Sequence, residues 1–173
     1  MPQNLELKAS VASVEHVRLA ARRLGARRIG TWQQRDTYYA VRRGRLKLRE
    51  VGPHAELIAY ERPNNAGSRY SRYDVFPIKR PSSLRRMLGA ALDVRAVVHK
   101  QRTVYLYKNC RIHADRVRGL GSFLEFEVIV KGGRTQAQTL MQAMIRHFGV
   151  TRRAVVGRSY CDLLISSSRK TRR

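Results

Sequence analysis

The sequence predicts an α+β domain of about eight antiparallel strands and three helices. Short segments that alternate between apolar and charged residues indicate the strands, and three longer segments carry helix start signals. Many antiparallel strands at short spacing favour a barrel or a sandwich. Helices packed on the apolar backs of the strands would supply the burial that a polar interior cannot.

The strand prediction rests on side-chain alternation, because residues two apart in a strand point the same way. In Arg45-Leu46-Lys47-Leu48-Arg49, three cations share one face and two leucines share the other. Arg43-Gly44 and Lys108-Asn109 are typical of tight hairpin connections. If the charged faces converge, they enclose a cavity suited to a polyphosphate and its divalent metal. The predicted strands cover residues 4–9, 37–42, 45–51, 55–62, 71–78, 96–107, 110–117 and 123–130.

Helices are predicted where capping residues precede a helical segment. Ser13 is a candidate N-cap, Pro81 precedes the second helix, and Thr135 and Gln138 have capping-box spacing. The predicted helices cover residues 14–24, 84–92 and 136–148. We expect a single domain over residues 1–165, followed by a basic, disordered tail over 166–173.

Composition narrows the classes of function. The 36 Lys and Arg residues against 12 Asp and Glu give a formal charge of +24, which attracts polyanions at long range. Nucleic acids, nucleotides and acidic membranes all fit that charge. Cys110 and Cys161 lack Cys-x-x-Cys spacing, which argues against a disulfide framework or a thiolate zinc site. Without an apolar run of about 20 residues or a signal segment, we expect a cytoplasmic protein with no membrane span.

The carboxylates include a candidate metal site. Glu125 and Glu127 share a strand face and repel each other unless a cation lies between them. Neighbouring Arg and Lys residues could supply that cation instead of a metal. Glu6 forms an acid and base pair with Lys8 near the amino terminus. Carboxylate oxygens suit Mg²⁺ or Mn²⁺, so the predicted metal ligands are Glu6, Glu125 and Glu127.

Several segments together resemble the CYTH superfamily, in particular its class IV adenylate cyclase-like branch. The resemblance spans about residues 4–164, and it is specific as a set although each segment is weak alone. The segments are Asn-Leu-Glu-Leu-Lys at 4–8, Gln-Arg-Asp-Thr-Tyr-Tyr at 34–39, Gly-Arg-Leu-Lys-Leu-Arg-Glu at 44–50, Tyr-Glu-Arg-Pro at 60–63, Lys-Gln-Arg at 100–102, Arg-Ile-His-Ala-Asp-Arg-Val at 111–117, Gly-Leu-Gly-Ser-Phe-Leu-Glu-Phe-Glu at 119–127 and Ser-Tyr-Cys-Asp-Leu-Leu at 159–164.

The resemblance implies a closed antiparallel barrel, called a triphosphate tunnel, with helices packed outside. It implies metal binding by the three glutamates, catalytic roles for Lys8 and Asp115, and orientation of the clamps or a second metal by Asp115. Asn4 replaces the first Glu of the family's Glu-x-Glu-x-Lys signature, which should weaken a second metal site. The implied triphosphate clamps are Lys8, Lys47, Arg49, Arg62, Lys100, Arg102 and Arg111.

Three functions stay open at this point. A cyclase would convert ATP to cyclic AMP and pyrophosphate, whereas an inorganic or thiamine triphosphatase would direct water to the terminal phosphorus. Both reactions need a metal and cations around developing negative charge, so the clamps do not separate them. The third alternative is a non-catalytic polyanion or RNA-binding protein with contacts through its basic surface and tail. The oligomeric state is open, and a dimer is one alternative.

Overall fold

A computed structural model of the chain describes residues 3–61, 67–131 and 133–170, with side chains described up to residue 168. It contains eight strands: β1 Gln3–Val11, β2 Arg27–Tyr39, β3 Arg45–Val51, β4 His54–Glu61, β5 Arg69–Pro77, β6 Val94–Tyr107, β7 Cys110–Val117 and β8 Gly121–Ile129. The helices are α1 Val14–Arg23, α2 Pro81–Ala91, α3 Arg134–His147 and α4 Tyr160–Lys170, with a 3₁₀ turn at Arg152–Ala154.

The strands close into one antiparallel barrel, in the order β1-β5-β4-β3-β2-β6-β7-β8. Pairing between β8 and β1 completes the circle, with Lys8 opposite Glu125 and Glu6 opposite Glu127. The prediction of a closed eight-stranded barrel with external helices is therefore confirmed. Closure satisfies every strand edge, so the polar inner face can be formed without exposing an unpaired edge.

The main hydrophobic core lies outside the barrel, between the outer faces of four strands and two helices. Leu5 and Leu7 of β1 and Phe126 of β8 face Val17 of α1 and Met141 of α3. All five side chains are at most 2% exposed. This packing stabilises the wall from behind, and it leaves the inner face for charged residues.

One end of the barrel is closed by α4. Tyr160 packs against Val98, which shares the inner face of β6, and its ring meets Phe123 edge to face at 5.0 Å. The helix begins with a reciprocal cap: Asp162 Oδ2 accepts from the Ser159 amide, and the Asp162 amide donates to Ser159 Oγ at 3.1 Å. The signal Ser-x-x-Asp is a capping box, and the sequence interpretation missed it.

The structure also corrects several boundaries, including the start of the second helix, which is at Pro81 and not at residue 84. The second strand begins at Arg27 and not at residue 37. Its first half is held in place by pairing with β6, although most of its side chains are exposed and form no apolar face. The third helix begins at Arg134 with Gly133 as N-cap, so Thr135 does not cap it. The tail predicted as disordered over 166–173 continues α4 to Lys170, and Ser166 Oγ donates to the Asp162 carbonyl within the helix. Residues 171–173 lie outside the described residues.

The hairpin turn predicted at Lys108-Asn109 is tight, whereas the one predicted at Arg43-Gly44 belongs to a longer connection over residues 40–44. Gly44, between β3 and β2, has a φ of +64°, and a Cβ there would lie 2.9 Å from the Tyr60 carbonyl oxygen. Lys108 adopts a φ of +52° between β6 and β7.

Among the described residues, no helix is long and apolar enough to cross a membrane.

Candidate triphosphate and metal site

A cavity of about 290 Å³ runs into the barrel. Alternation along the strands aims their charged residues into it, as predicted from the sequence. The predicted site residues that line the cavity are Glu6, Lys8, Lys47, Arg49, Lys100, Arg102, Arg111, Glu125 and Glu127. Arg62, predicted as a clamp, lies outside the described residues.

Asp36 of β2 holds two of the predicted clamps in place. Its carboxylate lies 3.3 Å from Lys47 Nζ and 3.2 Å from Arg49 Nε, and it also accepts from Gln34 Nε2 at 3.0 Å. Burial would raise the pKa of Asp36, but the charges of Lys47 and Arg49 outweigh it and hold the pKa far below its usual range. Asp36 is therefore ionised, and it orients both cations toward the cavity.

Lys47 and Arg49 both contact Asp36, so their positive charges lie close together. Burial, followed by repulsion from Arg49, lowers the pKa of Lys47 to about 7, and attraction to Asp36 only partly offsets this. Arg49 keeps its charge under all ordinary conditions. The tunnel therefore contains one clamp whose charge changes near neutral pH.

Asp115 of β7 has the equivalent position for the other pair of clamps. It is fully buried and accepts from Arg102 Nε at 2.7 Å, from Lys100 Nζ at 3.4 Å and from the Tyr160 hydroxyl at 2.9 Å. Burial opposes its charge, but Arg102 and Lys100 lower the pKa of Asp115 to about 2. Asp115 lies behind the clamps, which fits the orienting role that the family resemblance implies.

Three possible metal ligands meet where β7 and β8 pair. Donor atoms of His113, Glu125 and Glu127 all lie within 4.8 Å of one another. His113 Nδ1 is 3.8 Å from Glu125 and 3.7 Å from Glu127, and this buried nitrogen has no hydrogen-bond partner among the described residues. An imidazole nitrogen and two carboxylates that converge without mutual hydrogen bonds fit a divalent metal.

The predicted ligand Glu6 lies beside this group but is not part of it. It is opposite Glu127 across the β1–β8 pair, and its carboxylate accepts a hydrogen bond from the Ser71 hydroxyl. Two residues earlier, Asn4 is 3% exposed, and its Oδ1 atom lacks a hydrogen-bond partner among the described residues. Asn4 also lines the cavity, so its oxygen is available to an incoming ligand.

Cations contact the two carboxylates of this candidate metal site. Lys8 Nζ lies 3.3 Å from Glu125, Arg102 Nη2 lies 2.5 Å from the other oxygen of Glu125, and Arg111 Nη1 lies 3.6 Å from Glu127. Burial opposes the charge of Glu125, but Lys8 and Arg102 hold its pKa well below the usual range. The pKa of Glu127 is lowered as well, so both glutamates stay ionised and nearby cations balance their charges.

The wall formed by β4 and β5 has a different character. Ile58, Tyr60, Tyr73 and Val75 line the cavity there, and Tyr60 is opposite Tyr73 in the β4–β5 register. Tyr38 of β2 continues this surface. The tunnel therefore has one wall suited to phosphates and one suited to a flat organic group.

The sequence interpretation missed Asp36 and His113 as site residues. The signal for Asp36 is its place in Gln-Arg-Asp-Thr-Tyr-Tyr, where alternation puts it on the face of Gln34 and Tyr38. The signal for His113 is that it shares a strand face with Arg111 and Asp115.

A closed barrel whose charged interior could hold a metal is characteristic of triphosphate tunnel proteins. A family model described as "CYTH domain" matches residues 2–160, and the chain belongs to that family. A comparison with curated proteins finds no significant match.

Solved structures share the fold at low sequence identity. The PH1012 protein of Pyrococcus horikoshii is 21% identical with a TM-score of 0.82, over 92% of this chain and 98% of that one. A candidate adenylate cyclase of Vibrio parahaemolyticus is 20% identical with a TM-score of 0.73, over 93% and 97%. A Hippeastrum protein, described as a candidate adenylyl cyclase with a dominant triphosphatase activity, is 13% identical with a TM-score of 0.67, over 97% and 96%.

Proposed function

We propose that the protein binds a nucleoside triphosphate with Mg²⁺ or Mn²⁺ in its tunnel and processes it, as class IV adenylate cyclases do. The observation that carries this proposal is the two-sided tunnel. Six described cations line the cavity together with carboxylates of β1 and β8, whereas the β4–β5 wall offers Tyr60 and Tyr73. The six cations are Lys8, Lys47, Arg49, Lys100, Arg102 and Arg111.

Each group has a role in this proposal. Glu125, Glu127 and His113 hold the metal, with Glu6 as a neighbouring carboxylate. A bound metal polarises phosphoryl oxygens and neutralises developing charge. Lys8 and Arg102 contact the phosphates next to the metal ligands, and Asp115 positions Arg102 and Lys100.

Binding requires the cations to exchange partners. Lys8, Arg102 and Arg111 each contact Glu125 or Glu127. A metal at these carboxylates replaces the cations as the source of positive charge, which frees the cations for phosphate oxygens. Metal and triphosphate should therefore bind with positive coupling, each increasing the affinity for the other.

The aromatic wall supports an organic triphosphate over an inorganic one. Tyrosine side chains stack on flat rings and contribute little to binding an isolated phosphate chain. In the Tyr73→Ala variant, affinity for ATP should fall about tenfold, while affinity for inorganic triphosphate should change less than about twofold. Equal losses of affinity for the two ligands would mean that the organic group does not contact Tyr73.

Hydrolysis is the second candidate reaction. The Hippeastrum protein of similar fold is described as having a dominant triphosphatase activity. Incubation with ATP, inorganic triphosphate and thiamine triphosphate in Mg²⁺ or Mn²⁺ tests both reactions, with cyclic AMP, pyrophosphate and orthophosphate resolved as products. Cyclic AMP with pyrophosphate indicates cyclisation, and orthophosphate indicates hydrolysis. Absence of metal-dependent products from all three substrates would contradict the proposal.

A further inference from the structure

A second polar groove lies on the outside of the barrel, where β2, β6 and β7 are neighbours. Its volume is about 440 Å³, and Gln33, His99, Gln101, Arg116 and Arg118 line it together with Lys100. The ammonium of Lys100 itself faces inward and contacts Asp115. The remaining five side chains are exposed or half-buried.

The strand register arranges these side chains in rows across the sheet. Gln33 is opposite Gln101, which is opposite Arg116, so three hydrogen-bonding groups cross three strands. In the next row His99 is opposite Arg35, and the His99 carbonyl accepts from the Arg118 amide at 2.9 Å. Rows two residues apart are about 6.7 Å apart along a strand. This spacing is close to that of successive phosphates in an extended polynucleotide strand.

The groove differs from the tunnel in its charge balance. No carboxylate lines it, and neither Arg116 nor Arg118 has an ion-pair partner within the described parts of the chain. Arg35, opposite His99, lies 3.9 Å from Glu50, and this carboxylate also contacts Arg85. The two arginines of the groove are therefore available to an external anion.

We propose that this groove binds the phosphodiester backbone of a single-stranded nucleic acid. Arginine provides the charged donors for phosphate. Gln33 and Gln101 add carbonyl acceptors, which pair with sugar hydroxyls and base N–H groups but not with a bare phosphate chain. The formal charge of +24 draws any polyanion to the protein, and the groove determines where a polynucleotide docks. This binding is independent of the reaction in the tunnel.

The test uses the full chain and a labelled 20-nucleotide single-stranded RNA, with affinity measured by fluorescence anisotropy from 50 to 300 mM salt. Arg116→Gln with Arg118→Gln should lower affinity at least about fivefold at 150 mM salt. The slope of log affinity against log salt should fall by about 1.4, because each lost phosphate contact on a single strand contributes about 0.7. Gln33→Ala with Gln101→Ala, which keeps the charge, should weaken binding without changing the slope.

Arg152→Gln with Arg153→Gln is the matched control, because both residues are exposed and the loss of charge is the same. It should lower affinity less than about twofold, and inorganic triphosphate binding should be unchanged in all variants. If the two double arginine variants lost RNA affinity equally, the binding would be due to diffuse electrostatic attraction and the proposed groove site would be wrong. Single-stranded DNA of the same sequence is expected to bind through the same residues. Inorganic polyphosphate that competes as well as RNA at equal phosphate concentration would overturn the assignment to nucleic acid.

Discussion

Arg102 donates through Nη2 to Glu125 at 2.5 Å, so a predicted triphosphate clamp and a candidate metal ligand are joined directly. Both side chains are largely buried, at 6% and 14% exposure. A buried pair of this kind is costly to break unless each partner gains a new one. A metal for Glu125 and a phosphate for Arg102 provide those partners together, which connects metal binding to substrate binding.

Glu125→Gln with Glu127→Gln is expected to abolish metal-dependent turnover. Neutral amides cannot offset the charge of a divalent ion. Binding of inorganic triphosphate without metal should persist or tighten, because Lys8, Arg102 and Arg111 lose their carboxylate partners. Calorimetry in EDTA measures the binding, and product formation in Mg²⁺ or Mn²⁺ measures the turnover.

Asp74→Asn with Asp93→Asn is the matched control for that variant, since both residues are exposed and the change in charge is the same. It should retain turnover and leave triphosphate affinity within about twofold. If the glutamate variant kept normal metal dependence, Glu125 and Glu127 would not be metal ligands.

Asp36→Asn is expected to destabilise the protein and to increase its stabilisation by a triphosphate. The change leaves Lys47 and Arg49 buried without their counter-charge, which costs about 3 kcal/mol in the free energy of unfolding. For a chain of this size, that loss lowers Tm by about 6 to 12 °C. A bound triphosphate restores a negative partner, so the rise in Tm on adding it should exceed the rise in the parent protein.

Thermal unfolding with and without inorganic triphosphate checks this prediction, and the exposed Asp74→Asn is its control, with an expected change within about 0.5 kcal/mol. An Asp36→Asn variant that gains no more from ligand than the parent protein would mean that Lys47 and Arg49 do not contact the phosphates.

Period-two alternation was sufficient to predict the inner face of the barrel, because the side-chain direction in a strand is set locally. Arg45-Leu46-Lys47-Leu48-Arg49 therefore has its cations directed inward, with Lys47 and Arg49 lining the cavity and Leu48 buried on the other face. The partners of those cations depend on register between distant strands. Asp36 meets Arg49 only through the β2–β3 pair, and His113 meets Glu125 only through the β7–β8 pair.

The first half of β2 and the whole of α4 were missed for a related reason. Residues 27–33 have no apolar face to reveal a strand, and the hydrogen bonds to β6 that define it come from another part of the chain. The basic, serine-rich sequence after Leu164 obscured α4, which contacts the barrel through Tyr160 and Cys161 at its first turn. The apolar outer faces of β1 and β8 could be predicted from the sequence, because Leu5, Leu7 and Phe126 alternate with polar residues and are stable only when buried.

Affinity for triphosphate should fall as pH rises from 7.5 to 9, and Lys47 should be the cause. Burial and Arg49 lower the pKa of this lysine to about 7, so it is mostly neutral in the free protein above that pH. A triphosphate favours the charged form and raises the pKa, so binding at pH 8 should take up close to one proton. Each further pH unit should then reduce affinity by up to about tenfold.

Lys47→Arg is the matched variant, because arginine keeps its charge throughout this range. Calorimetry at pH 8 in two buffers of different ionisation enthalpy measures the proton uptake, with EDTA present to exclude metal effects. The variant should take up correspondingly less than the parent protein. Identical uptake by both proteins would assign the titration to another group.

Asn4→Glu is expected to strengthen the binding of a second divalent ion and to affect substrate affinity little. Asn4 shares the inner face of β1 with Glu6, and its side-chain oxygen is buried without a hydrogen-bond partner among the described residues. A carboxylate at this position adds a full negative charge beside Glu6, which favours a hard cation. Lys47 and Arg49 are unchanged, so the clamps should hold the phosphates as before.

If the chemical step is slow and uses that ion, turnover should rise at low metal concentration. Titrations of activity and of metal binding in the two proteins measure the effect, and Asn4→Gln is the uncharged control. Coincident titration curves for all three proteins would show that position 4 does not contribute to a metal site.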